Sequence, residues 1–231
     1  RASRSFPFVS KILKLNFIDI ATKVMVGEKV IPPNKNIFEI DYVGIKAPQF
    51  SFSRLLGADP ITGVEMASTG EVACIGEDIY EALLKSMISV GYDYPKKNIL
   101  LSTGPINYKA EFLKSARYLV NLKYNLFSTH GTHEFLKENG IDSTEVDWPL
   151  ENGDNNAVKM IKDKVIDFVI NVPKNYTEEE LTNDYLIRRA AVDYNVPLIT
   201  NIKLAKLFIA SIARYKIDDL KIMSWDEYKY S

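Results

Sequence analysis

The sequence of 231 residues is 46% apolar, and its 29 basic and 30 acidic side chains leave a net charge of −1. This apolar content is sufficient for one large core or two modest ones. Charges of both signs are spread along the chain without long blocks, which excludes the basic face of a nucleic-acid-binding or membrane-surface protein. We therefore expect neither nucleic-acid nor membrane partners.

Cysteine and histidine are scarce in this chain, which contains only Cys74, His130 and His133. One cysteine forms no intramolecular disulfide, and three such side chains do not complete a usual zinc site. We interpret the histidines as surface or capping residues and Cys74, which lies in an apolar run, as an inert core residue. The chain starts at Arg1 without an initiator Met or a signal-peptide pattern, so we interpret its start as a cut inside a longer protein.

The first part of the chain, to about residue 91, shows no regular alternation of strands and helices. Two helical stretches, a strand pattern and an aromatic loop are predicted there, at residues 17–27, 78–91, 37–48 and 50–60 respectively. The segment YDYPKK at 92–97 contains a proline and two lysines, and it is the best linker candidate. We therefore predict two domains, residues 1–95 and 96–231.

From residue 98 onward, apolar runs alternate with helix-periodic stretches. The strand patterns cover residues 98–103, 125–129, 143–148, 167–173 and 197–200. The helical stretches cover residues 107–124, 132–140, 154–164, 184–195 and 201–215. These five pairs with short connections predict an α/β fold, a doubly wound parallel five-stranded sheet with helices on both faces.

Polar residues stand at the ends of three of these strands and in the loops that follow them. They are Ser102 in the first, Thr129 and Thr132 in and after the second, and Asn171 in the fourth. Ligands of doubly wound sheets bind beyond the carboxyl ends of the strands, where small side chains let an anion approach the N–H groups at helix starts. These residues are therefore candidates for binding a phosphate or carboxylate, although hydroxyls at helix starts are more often plain N-caps.

Three further features are ambiguous on sequence alone. Trp148 could wall a ligand or be a half-buried structural residue. Arg188 and Arg189 could bind an anion, although salt bridges along a helix face are the commoner role. Arg1 and Arg4 suit a polyphosphate because guanidinium groups are permanently charged and donate two parallel hydrogen bonds.

Four separated segments resemble, in the same order, the large subunit of carbamoyl phosphate synthetases. They are RASRSFPFVSK, MASTGEVACIGEDIYEALLKSM, STHGT and DYLIRRAAVDYNVPLIT. The resemblance implies that residues 1–95 end a second ATP-grasp domain, which phosphorylates carbamate, and that 96–231 form a methylglyoxal-synthase-like allosteric domain. The implied ligase uses ATP with Mg²⁺ or Mn²⁺ to make carbamoyl phosphate from ammonia and bicarbonate. Arg1 and Arg4 match its ATP-phosphate site, whose metal ligands would precede Arg1, so the fragment alone is expected to be inactive.

Within that family, residues 42–55 and 65–77 and the Trp148 position most resemble the ammonia-dependent, N-acetylglutamate-activated mitochondrial enzyme. This resemblance implies N-acetylglutamate as activator, the mitochondrial matrix as location with the cytoplasm as alternative, and a role in the urea cycle or in arginine or pyrimidine biosynthesis. Upstream catalytic domains of the same chain, and a glutaminase domain or subunit, are the implied partners. By position, the activator pocket falls on Thr129, Thr132, Trp148 and Asn171.

Two further asparagines of that pocket do not match cleanly. Lys174, beside Asn175, takes the first position, and Asp184, beside Asn183, takes the second. A carboxylate facing an anionic activator is repulsive unless another group compensates. Either Asp184 faces the ligand, or Asn183 takes the amide role while Asp184 turns to solvent or caps the following helix. We expect the second arrangement, with Asn175 and Asn183 as effector residues.

Other functions remain open from the sequence. One is a glutamine-dependent synthetase regulated by nucleotides, although bacterial relatives that bind nucleotides have a lysine near the Trp148 position. Another is a free-standing lyase of methylglyoxal synthase type, because PLENGDNN resembles that enzyme's glycine-rich loop with Asp154 as the catalytic carboxylate. The histidine that this lyase needs is missing from residues 174–184. A plain interaction module would bind no small molecule.

Overall fold

The computed structural model describes residues 5–32, 39–61, 70–151, 153, 155–173 and 178–228. Several residues with predicted roles lie outside these ranges, namely Arg1, Arg4, Asp154, Lys174 and Asn175. Within the described ranges, no helix is both long and apolar enough to cross a membrane.

The described residues before 96, which we call the lead segment, combine three helices with a small antiparallel sheet. The helices are α1 (Ser5–Ile12), α2 (Phe17–Met25) and α3 (Ile79–Ser89), and the strands are β1 (Val43–Gln49) and β2 (Gly70–Gly76). Both predicted helices and the predicted strand are present. Strand β2 was not predicted, although residues 72–75 form an apolar run.

Helix α3 lies close against β2 because of the residues between them. The Asp78 carboxylate accepts hydrogen bonds from the backbone N–H groups of Tyr80 and Glu81, each at 2.9 Å, and so caps the helix. A Cβ at Gly76 would lie 2.4 Å from the backbone nitrogen of Ala82. Any other residue at this position would therefore push α3 away from the strand.

The second part of the chain is the predicted α/β fold. Its strands are β3 (Asn98–Thr103), β4 (Asn125–Thr129), β5 (Thr144–Val146), β6 (Phe168–Val172) and β7 (Leu198–Ile199). Its helices are α4 (Ile106–Asn121), α5 (His130–Glu138), α6 (Ala157–Lys162), α7 (Glu178–Asp193) and α8 (Ile202–Arg214). The strands are all parallel, in the order β5-β4-β3-β6-β7. The prediction of a parallel five-stranded sheet is confirmed.

Both faces of this sheet are covered by helices, so its central strands are buried on both sides. Phe168 and Ile170 of β6 face α4 and α8, and the Phe168 ring stacks on Phe208 at a centroid distance of 5.0 Å. Leu100 and Val169 face the opposite way, toward α6 and α7. The alternation along each strand therefore divides the apolar residues between two cores.

The lead segment contributes directly to one of these cores. Leu83, Leu84 and Met87 of α3 belong to the same buried cluster as the sheet residues that face α4 and α8. The Tyr92 hydroxyl also donates to the carbonyl of Leu198 in the edge strand at 2.8 Å. The predicted boundary near residue 96 thus crosses a continuous apolar core.

The C-terminal residues after α8 return to the lead segment. Tyr228 is buried, its hydroxyl donates to the Ile75 carbonyl at 3.0 Å, and its own carbonyl accepts from the Lys14 ammonium at 2.9 Å. The Tyr228 ring also meets the Tyr42 ring edge-on at 5.6 Å. Tyr228 therefore packs against the lead segment.

Candidate functional site

The polar residues singled out at three strand ends meet in one buried group. Ser102, Thr129 and Asn171 stand at or near the carboxyl ends of β3, β4 and β6, and each is at most 5% exposed. Ser102 is paired in register with Asn171, and the Thr129 hydroxyl donates to the Ser102 hydroxyl at 3.3 Å. The parallel order of the sheet, with β3 between β4 and β6, is what brings them together.

Thr132 and Thr103 extend this group into the first turn of α5. The Thr132 hydroxyl oxygen accepts the backbone N–H of Thr103 at 3.1 Å. Thr129 stands at the N-cap position of α5, but its hydroxyl makes no capping hydrogen bond. The capping alternative therefore does not account for Thr129. Thr132 stabilises the end of β3 through its bond with the Thr103 N–H, in addition to any contact with a ligand.

Two residues that the sequence analysis did not single out shape the floor and the charge of the site. Gly104 lets the turn after β3 cross the end of β6, because a Cβ there would lie 2.9 Å from the Val172 carbonyl oxygen. The ammonium group of Lys109, in the first turn of α4, donates to the Gly131 carbonyl between Thr129 and Thr132. A cation therefore lies beside the threonine loop, where it favours an anionic ligand.

Asp184 is buried in this group, with 3% of its surface exposed. Its carboxylate accepts the Asn171 side-chain amide at 2.8 Å and the Ser102 hydroxyl at 3.3 Å. Our expectation that Asp184 turns to solvent or caps the following helix is therefore wrong. Helix α7 begins at Glu178 and not at 184, so Asp184 lies within the helix, on its face toward the strand ends.

Asn183 does not join the strand-end residues through any of its described hydrogen bonds. Its side-chain oxygen accepts the backbone N–H of Leu150 at 3.0 Å, in the loop that follows β5. The sequence analysis placed Asn183 in the pocket and Asp184 outside it. In the structure Asp184 lies at the strand ends, and Asn183 contacts the loop that carries Trp148.

The Trp148 loop, whose described residues are 148–151, 153, 155 and 156, is held by hydrogen bonds to its own backbone. The Asn156 side-chain nitrogen donates to the carbonyls of Trp148, Pro149 and Glu151 at 3.1, 2.9 and 3.2 Å. The Asn156 oxygen caps α6 by accepting from Val158 at 3.0 Å. Trp148 itself is half-buried. Sequence reasoning missed Asn156, although an asparagine just before an amphipathic stretch is a recognisable helix start.

The two arginines of α7 bind the lead segment. Arg188 is 1% exposed, donates to the Asn171 side-chain oxygen at 2.9 Å, and binds both carboxylate oxygens of Asp59 at 2.8 and 2.6 Å. Arg189 pairs with Asp193 one turn away and donates to backbone carbonyls at residues 52, 55 and 58. The salt bridge along the helix face is therefore observed for Arg189, whereas Arg188 forms its salt bridge across to the loop at 50–60.

The remaining candidate residues form polar pairs at the surface. His130 contacts the Glu145 carboxylate at 2.6 Å, and this hydrogen bond raises the pKa of His130 and lowers that of Glu145. His133 contacts the Ser143 hydroxyl at 2.9 Å.

Cys74 is half-buried, not a core residue as predicted, because it lines an open cavity of about 750 Å³ between β2, α3 and the C-terminal residues. Among the described residues, no three metal-binding side chains converge.

A doubly wound parallel sheet with helices on both faces defines an α/β domain, and comparison with known families specifies its class. Residues 111–200 match the family model of the MGS-like domain. A solved methylglyoxal synthase from Elizabethkingia anophelis matches 58% of this chain and 90% of its own, at 20% identity and a TM-score of 0.38.

The relatives that match most of the chain identify its family. Multifunctional protein pyr1-3 of Dictyostelium discoideum is 50% identical over 94% of this chain. Multifunctional protein CAD of Squalus acanthias is 47% identical over 92% of it. Carbamoyl-phosphate synthase [ammonia], mitochondrial, of Homo sapiens is 45% identical over 99% of it. The chain belongs to the carbamoyl-phosphate synthase family, and it spans 10%, 10% and 16% of the lengths of these three relatives.

Proposed function

We propose that this chain is a C-terminal part of a carbamoyl phosphate synthetase and that its MGS-like domain is an allosteric domain that binds N-acetylglutamate. The buried group of hydroxyl and amide side chains at the strand ends, with the Lys109 ammonium beside it, is the observation that carries this proposal. Hydroxyls donate well to carboxylate oxygens, and a neighbouring cation strengthens such bonds. Thr129 and Thr132 would bind a carboxylate, Asn171 the opposite end of the effector, and Trp148 would form a wall.

The proposal extends to the protein of which this chain is part. Its partners are upstream catalytic domains of the same chain, its reaction uses ATP with Mg²⁺ or Mn²⁺, and its location is the mitochondrial matrix or, alternatively, the cytoplasm. The lead segment would end the second ATP-grasp domain, with Arg1 and Arg4 at the ATP phosphates. The resemblance described above supports this assignment.

A second candidate is a glutamine-dependent synthetase regulated by nucleotides and served by a glutaminase domain or subunit. This candidate is supported by the sequence identities, which are 50% and 47% to multifunctional proteins and 45% to the ammonia enzyme.

A third candidate is a methylglyoxal-synthase-like lyase using Asp154. An assay for methylglyoxal after addition of a triose phosphate tests the lyase directly.

Isothermal calorimetry on the 231-residue chain distinguishes the two effectors. We expect saturable heat with N-acetylglutamate and none with uridine monophosphate, because Trp148 replaces the lysine expected near a nucleotide. Saturable binding of the nucleotide, with no response to N-acetylglutamate, would contradict the proposal.

The two threonines are expected to respond differently to substitution by alanine. Thr129→Ala removes a hydroxyl that makes no capping bond but donates to Ser102 at 3.3 Å, so it should weaken N-acetylglutamate binding by about 1 to 2 kcal/mol and lower stability less than Thr132→Ala does. Thr132→Ala also leaves the buried Thr103 N–H without its acceptor, so unfolding should become easier by about 1 to 3 kcal/mol. Calorimetry and urea unfolding measure the two effects, with Thr132→Ser as the control that keeps the hydroxyl. Equal loss of stability in both alanine variants would refute the distinction.

Asp184→Asn should tighten N-acetylglutamate binding. The amide keeps an oxygen that can accept from Asn171 and Ser102, while one negative charge is removed from a pocket proposed to hold a dianion. We expect a gain of about 1 kcal/mol, larger at low ionic strength where charges are less screened. Titrations at two salt concentrations test this, and weaker binding at both would show that the carboxylate supports the effector.

A further inference from the structure

One turn of α7 contacts both halves of the candidate effector site. Asp184 accepts hydrogen bonds from Asn171 and Ser102 at the strand ends, and its neighbour Asn183 accepts the Leu150 N–H from the Trp148 loop. Successive residues of a helix point about 100° apart. A single turn of α7 can therefore contact both the polar group at the strand ends and the loop that carries Trp148.

The hydrogen bond from Leu150 to Asn183 ties this loop to α7 by polar contact and not by burial of an apolar side chain. The Leu150 side chain is 56% exposed, whereas Asn183 is 4% exposed. Asn156 and Glu151 organise the loop internally, through the backbone of residues 148–151. Two backbone hydrogen bonds tie the loop to the end of β5, from Asp147 to Asn155 at 3.1 Å and from Ala157 to Asp147 at 3.2 Å. The bond from Leu150 to Asn183 connects the part of the loop beside Trp148 to α7, the helix that carries Asp184.

We propose that Asn183 is a positioning residue, which holds Trp148 at the effector site through the Leu150 backbone and does not itself bind the effector. The expected effect of Asn183 on effector affinity rests on the proposed function. The position of Trp148 can be measured without any ligand. It differs from the role that the sequence indicated, in which the Asn183 amide contacts the effector directly.

The test uses the complete 231-residue chain with Trp225→Phe, which leaves Trp148 as the single tryptophan of the two in the sequence. Asn183→Leu fills a similar volume without an acceptor. Asn183→Asp keeps an oxygen that can accept the Leu150 N–H, and it is the matched control. Acrylamide quenching of Trp148 fluorescence is measured in each variant without ligand, and N-acetylglutamate affinity by calorimetry.

We expect Asn183→Leu to raise the quenching constant of Trp148 by about twofold and to weaken N-acetylglutamate binding by about fivefold, the effect of one lost hydrogen bond. Asn183→Asp should return the quenching constant to that of the parent. Unchanged quenching in Asn183→Leu would overturn the proposal, whether affinity falls, which would mark direct contact with the effector, or stays the same. If the parent chain binds no N-acetylglutamate but quenching follows the expected pattern, the positioning role stands and the effector assignment fails.

Discussion

Asp59→Ala is expected to lower the free energy of unfolding by about 3 kcal/mol. The substitution leaves the Arg188 guanidinium, 1% exposed, without the carboxylate that binds it through two hydrogen bonds. Removing one partner of a buried ion pair costs more than the pair itself contributes, because the remaining charge stays out of water. We place the effect at the lower end of the usual range because the Asp59 side chain is 35% exposed.

Two further variants separate charge from hydrogen bonding at this pair. Asp59→Asn keeps one acceptor oxygen and should lose roughly half as much stability, about 1.5 kcal/mol. Arg188→Met removes the buried charge and leaves the Asp59 carboxylate, which is 35% exposed and can be hydrated, so it should lose less stability than Asp59→Ala even though the Asn171 oxygen loses its donor. Urea unfolding monitored by circular dichroism gives all three values. A larger loss in Arg188→Met than in Asp59→Ala would show that the bond from Arg188 to Asn171 matters more than the ion pair.

Residues 96–231 expressed alone should be severely destabilised. The cut removes Leu83, Leu84 and Met87, which are 5%, 0% and 5% exposed in the shared core. Each such side chain contributes about 1.5 to 3 kcal/mol through burial, so their joint loss approaches the whole stability of an ordinary domain, about 5 to 15 kcal/mol. It also removes Asp59 from Arg188. We expect loss of the near-UV signal and exposure of apolar surface to a fluorescent dye at 25 °C.

The matched control for this experiment is a chain that starts at residue 70, which retains β2 and α3. It should recover part of the lost stability because the three apolar side chains again cover the sheet. Cooperative melting of residues 96–231 at the temperature of the complete chain would instead support an independent domain beginning at the predicted boundary.

The sequence was most informative where its periodicity was strong. All five strands and five helices after residue 97 were predictable, because buried parallel strands read as apolar runs and the helices between them are amphipathic. From that order alone, Ser102, Thr129 and Asn171 could be expected to meet.

The details that decide ligand chemistry were harder to predict, for two physical reasons. Residues 174–183, before the predicted start of α7, are mostly polar and carry little apolar periodicity. The sequence therefore predicts a helix that begins at 184, with Asp184 in solvent or at a cap. The ion pair between Asp59 and Arg188 joins residues that are 129 positions apart, and Gly-Ala-Asp-Pro suggests only a turn. Local patterns contain no information about such a partner.

The return of the C-terminal residues to the lead segment has a consequence for how the chain folds. The hydrogen bond from Lys14 to the Tyr228 carbonyl joins residues 214 positions apart, and the central strands β3 and β6 pair across two intervening strands and three helices. Such long-range pairings slow folding because the loop between partners must close before they gain contact energy. During synthesis, the residues after α1 would have to wait for Tyr228 to leave the ribosome before completing their native contacts. This early part of the lead segment would therefore reach its native contacts late in folding.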